Sequence, residues 1–387
     1  MKNLLEIIPT AEIVAWRRYL HAHPELSFHE VETANYIENV LKTFPNLEIS
    51  RPIENGIVAT LKGGKEGKTI AFRADIDALP IQEESDVEFI SQNDGVMHAC
   101  GHDTHTAILL GAVKVLCTMP EKISGTIKFI FQPAEETPPG GAILMVKSGI
   151  LDDVDKIYGL HIFPRIPAGA IGYSYGAMTA ASDLLTLEII GQGAHAMAPE
   201  FAIDPITIGA EIIQAINNVM ARRVAPTETA VCSWGKFQSG SEHNVIPERA
   251  TLLASVRTRN PELRESLKTM IEETIEGICK MHHAKYVLNY EYGYSSVMNA
   301  KEEMDEVVAS AKEILGKNAL FPVPPMLAGE DFSAYTDVKP GAFFVLGGGS
   351  VEDGYEFINH HPKFKIDEKS LPIGTAMFVK LALNVLK

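Results

Sequence analysis

Between residues 181 and 292 the chain reads strand, helix, strand, strand, helix, strand, and on either side of this block strand patterns alternate with helical ones. No other feature restricts the fold as much. Apolar residues at i, i+3 and i+4 mark the helices, and short apolar runs bounded by Gly or Pro mark the strands. Inside the block the strands are Leu184–Ile190, Ala230–Phe237, Ala250–Thr258 and Lys285–Glu291, and the helices are Ala202–Met220 and Pro261–His282. A βαββαβ order of this kind forms one sheet covered by two helices. Before it, helical patterns at Ala11–Leu20, Glu30–Phe44 and from Asp103 to about Met119 accompany strand patterns at Thr69–Arg73, Thr126–Phe131 and Lys156–Ile162. Asp103 has the chemistry of an N-cap. After the block come a helix near Glu302–Leu315, a strand at Ala342–Leu346 and a helix from about Pro372. Strand–helix alternation specifies an α/β sheet domain. The expected organisation is a discontinuous domain, residues 1–180 and 293–387, interrupted by an α+β insertion at 181–292 that begins and ends in strands.

Composition narrows the function. Lys and Arg number 34 against 50 Asp and Glu, a net charge of −16, so nucleic acid is not an expected partner. Apolar runs such as Thr106–Val113 fall far short of the ~20 residues that a bilayer span needs. Met1–Pro9 carries Lys2 and Glu6 and no apolar stretch ahead of a small-residue cleavage site, so a cytoplasmic protein is expected. Four cysteines in a chain this long make no disulfide framework. Cys117, Cys232 and Cys279 sit in apolar patterns and read as core.

Ligand-capable residues recur where strand patterns end. Asp75 and Asp77 follow one strand, Glu135 and Glu136 another, and His161 closes a third. In an open α/β sheet, sites form outside the carboxyl ends of strands. The densest cluster is MHACGHDTH (97–105), which carries His98, Cys100, His102 and His105. Thiolate and imidazole suit zinc and its neighbours, but no second Cys pair follows, so a closed structural zinc site does not fit. Adjacent carboxylates such as Glu135 and Glu136 can divide the work, one holding a metal and the other a proton. His21, His23, His360 and His361 offer further imidazoles, among which spacing alone does not choose.

Taken together, HAHPELSF (21–28), RADIDALP (73–80), MHACGHD (97–103), FQPAEE (131–136), LHIFP (160–164), GAHAMAP (193–199), NVIPERA (244–250) and AGEDFS (328–333) resemble the dinuclear-metal amidohydrolases of the aminoacylase, hippurate hydrolase and N-acetyldiaminopimelate deacetylase type. The matches run in order over nearly the whole chain. The resemblance implies a zinc-peptidase-like α/β catalytic domain with an inserted lid domain that mediates a homodimer. It implies two divalent ions per subunit, Mn2+ or Zn2+ with Co2+ or Ni2+ as alternatives. Cys100 would bridge them, where many relatives use Asp. His102 and Glu136 would hold one side, or one metal each, and His161 and His361 would complete the set. Glu135 would be the general base, and Asp77, or alternatively Asp75, would orient a ligand imidazole. His195 on the lid would stabilise the oxyanion, in related enzymes from the partner subunit, while Asn244 and Arg257 would help bind the substrate carboxylate or carbonyl.

Two departures from the family pattern stand out. Thr137-Pro-Pro-Gly-Gly141 replaces a run of glycines, which predicts a stiffer loop and a narrower entrance. The pattern Asn359-His360-His361-Pro362 stands where the family usually has a bulky apolar residue before a single His, and the spacing to Pro362 favours His361. The implied reaction is hydrolysis of an N-acyl-L-amino acid to a carboxylate and a free amino acid, with Glu135 moving a proton from water to the leaving amine. A dipeptidase or carboxypeptidase using the same groups is the alternative within enzymes. A non-catalytic metal-binding relative is the alternative outside them, and the presence of Glu135 argues against it. A Cys protease built on Cys100 would leave the surplus carboxylates and histidines without a task.

Overall fold

The computed structural model describes residues 4–387; Met1–Asn3, part of the N-terminal stretch considered above, lie outside the described residues. The chain forms two compact units. One comprises the chain up to Met178 with Val297–Pro324 and Asp331–Lys387, and the other comprises Thr179–Ser296 with Pro325–Glu330. The divisions fall at 178/179 and 296/297, against 180/181 and 292/293 from sequence. The six residues 325–330 carry no periodicity that could have assigned them to the second unit.

In chain order, the first unit begins with α1 (Thr10–Ala22), α2 (Val31–Leu41), β1 (Leu47–Ile53), β2 (Gly56–Lys62), β3 (Lys65–Asp75), α3 (His102–Leu116), β4 (Ser124–Gln132), β5 (Lys156–Phe163) and β6 (Ile171–Tyr173). The second unit contains β7 (Ala181–Ile190), α4 (Pro205–Arg223), β8 (Ala230–Ser239), β9 (Arg249–Thr258), α5 (Pro261–Met281) and β10 (Lys285–Glu291). The chain then returns to the first unit with α6 (Lys301–Leu315), β11 (Leu320–Pro322), β12 (Gly341–Gly347) and α7 (Ser370–Val385). The mixed α/β class is the one that the alternating pattern predicts.

The first unit holds an eight-stranded sheet in the order β1-β2-β4-β3-β5-β12-β6-β11. Its centre is parallel: β3 runs with β4 and β5, and β5 runs with β12. All seven residues of β12 are buried, as is β5 up to Ile162, which matches the continuous apolar runs of a strand covered on both faces. Because these strands are parallel, the segments after Asp75, Gln132 and Phe163 leave the sheet at one edge. Strands β1 and β2 form a hairpin that periodicity does not announce, because its polar, half-exposed outer strand lacks an apolar run.

Helix α3 is buried at fourteen of its fifteen positions, so it runs through the core and does not lie on its surface. Its N-cap is Gly101, not Asp103 as the pattern suggested. Gly101 has φ +94°, and a Cβ there would approach Ile162 Cγ2 to 2.6 Å, so both backbone and space require glycine. Asp103 instead turns into the core. Its Oδ2 accepts hydrogen bonds from Arg17 Nε and His21 Nδ1, each at 2.9 Å, from the inner face of α1. Such a cap is lost to a stronger demand, because a buried guanidinium must find a carboxylate.

The second unit is a four-stranded antiparallel sheet, β8-β9-β7-β10, with α4 and α5 packed on one face. Leu185, Leu187 and Ile189 alternate along β7 and meet Ile212, Ile216 and Ile271 from the helices. Both helices start with Pro at the first turn and a side-chain cap. Asp204 Oδ1 accepts from Ile206 N at 2.9 Å, and Asn260 Oδ1 accepts from Leu263 N at 3.0 Å. Among the described residues no helix is long and apolar enough to cross a membrane.

Candidate metal centre

The shared edge of β3, β4 and β5 gathers the metal-capable side chains. Cys100 leads into α3, whose first residue is His102; His161 sits near the end of β5; Glu135 and Glu136 follow β4. The loop after β4 is folded back by Gly141 N–H donating to Ala134 O at 2.8 Å. A Cβ on Gly141 would lie 1.8 Å from Pro133 O, so glycine permits this closure. Ala134 holds a left-handed φ of +53°, and its N–H donates to buried Glu30 Oε1 at 2.7 Å. Burial pushes the Glu30 carboxyl up to about 7. Glu30 lies just past the HAHPELSF motif and was not singled out from sequence, where it looks like any acid at a helix start.

Two groups of donor atoms share Cys100. Atoms of Cys100, His102 and His161 lie within 4.8 Å of one another, and so do atoms of Cys100, Glu136 and His360. Cys100 Sγ is 3.3 Å from His161 Nε2, and His360 Nε2 is 3.2 Å from Glu136 Oε1. The residue completing the second group is therefore His360, not His361 as the spacing to Pro362 selected. His360 adopts a left-handed φ of +69°, with its N–H on Ala99 O at 2.8 Å, which turns its ring toward Glu136. His361 stacks on Phe357 at 4.3 Å between ring centroids and accepts the Lys363 N–H on Nδ1 at 3.0 Å. A backbone twist of one residue leaves no trace in spacing.

The surrounding hydrogen bonds orient these donors. His102 Nδ1 donates to Asp77 Oδ1 and to Asp77 O, both at 3.0 Å, which points Nε2 at the centre. Asp77 Oδ2 accepts from Glu136 N at 3.0 Å and from Ser27 Oγ at 2.7 Å. Of the two acids that sequence left open, Asp77 is the one that holds His102 Nδ1. Asp75 pairs with Arg73 and His105, each at 2.6 Å. His161 Nδ1 donates to Ile162 O at 2.8 Å, leaving Nε2 toward Cys100. Glu135 is 7% exposed, and its Oε1 accepts from Asp331 N at 3.4 Å. A carboxylate oxygen of Glu135 lies within 4.8 Å of donor atoms of His102 and Glu136.

The residues fit divalent metal. His102 Nε2 is buried with no hydrogen-bond partner, and buried Glu136 Oε1 makes no hydrogen bond although His360 Nε2 stands 3.2 Å away, an arrangement that is costly unless a ligand completes it. Burial, and next the Glu136 charge, hold the Cys100 thiol well above its ordinary pKa. Burial, and next the His105 charge, hold the His161 imidazole well below its own. Burial also opposes charge on His102, but Asp75 and Cys100 outweigh it and raise that imidazole. A divalent ion favours thiolate over thiol, so it would reverse the first of these directions.

The remaining expected residues lie in the second unit. Exposed His195 pairs in a two-residue ladder with Val245, and Ala196 N donates to Asn244 O at 3.0 Å, so His195 and Asn244 are neighbours. Arg257 is not beside them. Its place on β9 is opposite Ser182, at the far end from the Arg249–Ile190 pair that leads to the His195 loop. Eight residues of strand separate the two ends, roughly 26 Å at ~3.3 Å per residue. Arg257 Nε donates to Ser255 Oγ at 3.2 Å.

Residues 71–384 match the model of peptidase family M20/M25/M40. The chain is 44% identical over 302 residues to an N-acyl-L-amino acid amidohydrolase of Geobacillus stearothermophilus, covering 78% of this chain and 81% of that one. It is 36% identical to thermostable carboxypeptidase 2 of Saccharolobus solfataricus, covering 96% and 95% of the two chains. The crystal structure of Bacillus subtilis YxeP, described as a dinuclear metal-binding peptidase of the M20 family, superposes with a TM-score of 0.86 at 34% identity, covering 97% and 98%. A match that starts within β3 and ends within α7, with relatives that span nearly the same length, makes this chain a member of peptidase family M20/M25/M40 and a hydrolase.

Proposed function

We propose that the protein is a metal-dependent amidohydrolase that releases the amino acid from N-acyl-L-amino acids. The observation that carries this reading is the pair of donor groups meeting at Cys100 with Glu135 beside them. Cys100, His102 and His161 would hold one divalent ion, and Cys100, Glu136 and His360 the other. Thiolate and imidazole favour Zn2+, Co2+ or Ni2+, and the carboxylate also accepts Mn2+. When bound, such a pair of ions polarises the amide carbonyl and makes water a stronger nucleophile.

The protein's own groups then handle protons and orientation. Glu135 accepts a proton from the attacking water and returns it to the amine nitrogen as the C–N bond breaks, since an amine anion leaves poorly. The Asp331 N–H fixes the Glu135 carboxylate for both transfers. Asp77 keeps His102 and the Glu136 backbone in register. Similarity to the N-acyl-L-amino acid amidohydrolase supports the substrate class, and similarity to the carboxypeptidase supports the alternative that peptides are cleaved. The test is a panel of N-acyl amino acids, dipeptides and C-terminally blocked peptides, assayed after chelation and after each metal is restored. Hydrolysis of N-acyl amino acids, abolished by chelation and regained with metal, is expected. Faster cleavage of dipeptides or longer peptides would transfer the assignment to the peptidase reading, and activity that survives chelation would end both.

His195 is assigned to the oxyanion of the partner subunit's site in a homodimer formed through the second unit. Its Nδ1 accepts the Met197 N–H at 3.2 Å, which leaves Nε2–H as the donor. His195→Ala is expected to lower kcat by about 10²–10³-fold with metal content unchanged. Mixing it with Glu135→Gln should restore up to about a quarter of wild-type activity, because half of randomly exchanged dimers are mixed and each has one intact site of two. No rescue after confirmed subunit exchange would return His195 to its own subunit's site or to an unrelated surface role.

A further inference from the structure

We propose that Asn359 is a positioning residue of the metal centre, whose side-chain amide ties the Cys100 and His161 segments together and presents an N–H to the Cys100 sulfur. The proposal rests on the reading that Cys100 is a metal ligand.

Asn359 Nδ2 lies 2.9 Å from Cys100 O, 3.3 Å from Ile162 O and 4.0 Å from Cys100 Sγ. These acceptors belong to two chain segments 62 positions apart, and both matter. Cys100 O is the carbonyl of the shared donor itself. Ile162 O is the carbonyl that receives His161 Nδ1–H at 2.8 Å and so sets that ring's orientation. The amide has two N–H groups. One is taken by Cys100 O, the shortest contact, and the second is left to Ile162 O and the more distant sulfur. The residue is also immediately followed by His360, whose own N–H is fixed on Ala99 O at 2.8 Å. One turn of chain thus supplies a donor imidazole and clamps the backbone on both sides of the shared sulfur.

An apolar side chain at this position cannot do this. It would leave Cys100 O and Cys100 Sγ without this donor. An N–H aimed at a thiolate stabilises the sulfur lone pairs, lowers their donation to a metal and leaves the metal a stronger Lewis acid. Asn359 therefore adjusts the electronic character of the site without being a ligand.

The test reads the sulfur directly. The protein is stripped of metal and loaded with Co2+, and the thiolate-to-cobalt charge-transfer absorption is recorded for the unaltered chain, Asn359→Leu and Asn359→Met, each normalised to bound cobalt. Both variants delete the N–H, and the unbranched Met adapts to the site if Leu prevents folding. The expected result is a shift of the band to longer wavelength in each folded variant, because a sulfur that has lost its hydrogen bond gives up charge more easily. Bands that coincide with that of the unaltered protein would overturn the role of Asn359 while leaving Cys100 a ligand. Absence of a thiolate band in the unaltered cobalt protein would overturn the ligand reading itself, and this proposal with it.

Discussion

Glu135→Gln is expected to lower kcat by about 10²–10⁴-fold while the protein keeps its fold and both metals, the range associated with loss of a general base. The amide matches the carboxylate in shape, and its oxygen can still accept the Asp331 N–H that holds Glu135 Oε1. It cannot take a proton from water. Glu135 is absent from both donor groups that share Cys100, so metal content measured on the purified variant should equal that of the wild type. The neighbouring Glu136→Gln should behave in the opposite way and lose metal, because Glu136 offers a carboxylate oxygen to the group that contains Cys100 and His360. Near-normal turnover in Glu135→Gln would assign the proton transfers to a different group.

The second large effect concerns stability. Arg73 is wholly buried, with Nη1 on Asp75 at 2.6 Å, Nη2 on Asp331 at 2.7 Å and Nε on Gln132 Oε1 at 2.7 Å. Arg73→Met keeps most of the volume but removes the one guanidinium shared by two buried carboxylates, which then keep His105 on Asp75 and Gln132 with the Ala142 N–H on Asp331. Removing one partner of such a set costs roughly 3–5 kcal/mol. Denaturant unfolding of the metal-free protein measures the difference. The pH dependence gives an independent check. Burial raises the Asp331 carboxyl to about 6, against an opposing pull from Arg73. The folded state therefore holds this proton more tightly than the unfolded chain, where the pKa is about 4. Asp331 accordingly favours the fold less as pH rises from about 4 to 6. Without Arg73 that decline should extend to higher pH, so the variant is penalised more at pH 7 than at pH 5. A loss below about 1 kcal/mol at pH 7 would mean that solvent reaches these carboxylates once Arg73 is gone.

Sequence and structure diverge in an instructive way. The helices and parallel strands were legible because each buries a long apolar face, and the donor types at the strand ends were legible because parallel strands must deliver them to one edge. Four particulars were not. Asp103 has the chemistry of a cap but serves Arg17 and His21, a contact spanning more than eighty residues. His360 and His361 differ only in a backbone torsion that neither side chain announces. Arg257 stands near Asn244 in sequence but a full strand length away in space, because extended chain separates residues as fast as it can. Arg73 and Asp331 lie inside motifs that drew attention for other residues; nothing in either segment alone indicates that they pair.

The sheet order also bears on how the protein is made. Strand β12 sits between β5 and β6, and His360 follows it, so an inner strand and one candidate metal donor both come from the last fifty residues. A nascent chain released from the ribosome as far as α5 already carries Cys100, His102, His161 and Glu136, yet β5 still has an open flank. Such an exposed strand invites wrong pairing while synthesis continues. A chain truncated before Gly341 should therefore be prone to aggregate and unable to complete the donor group that contains His360.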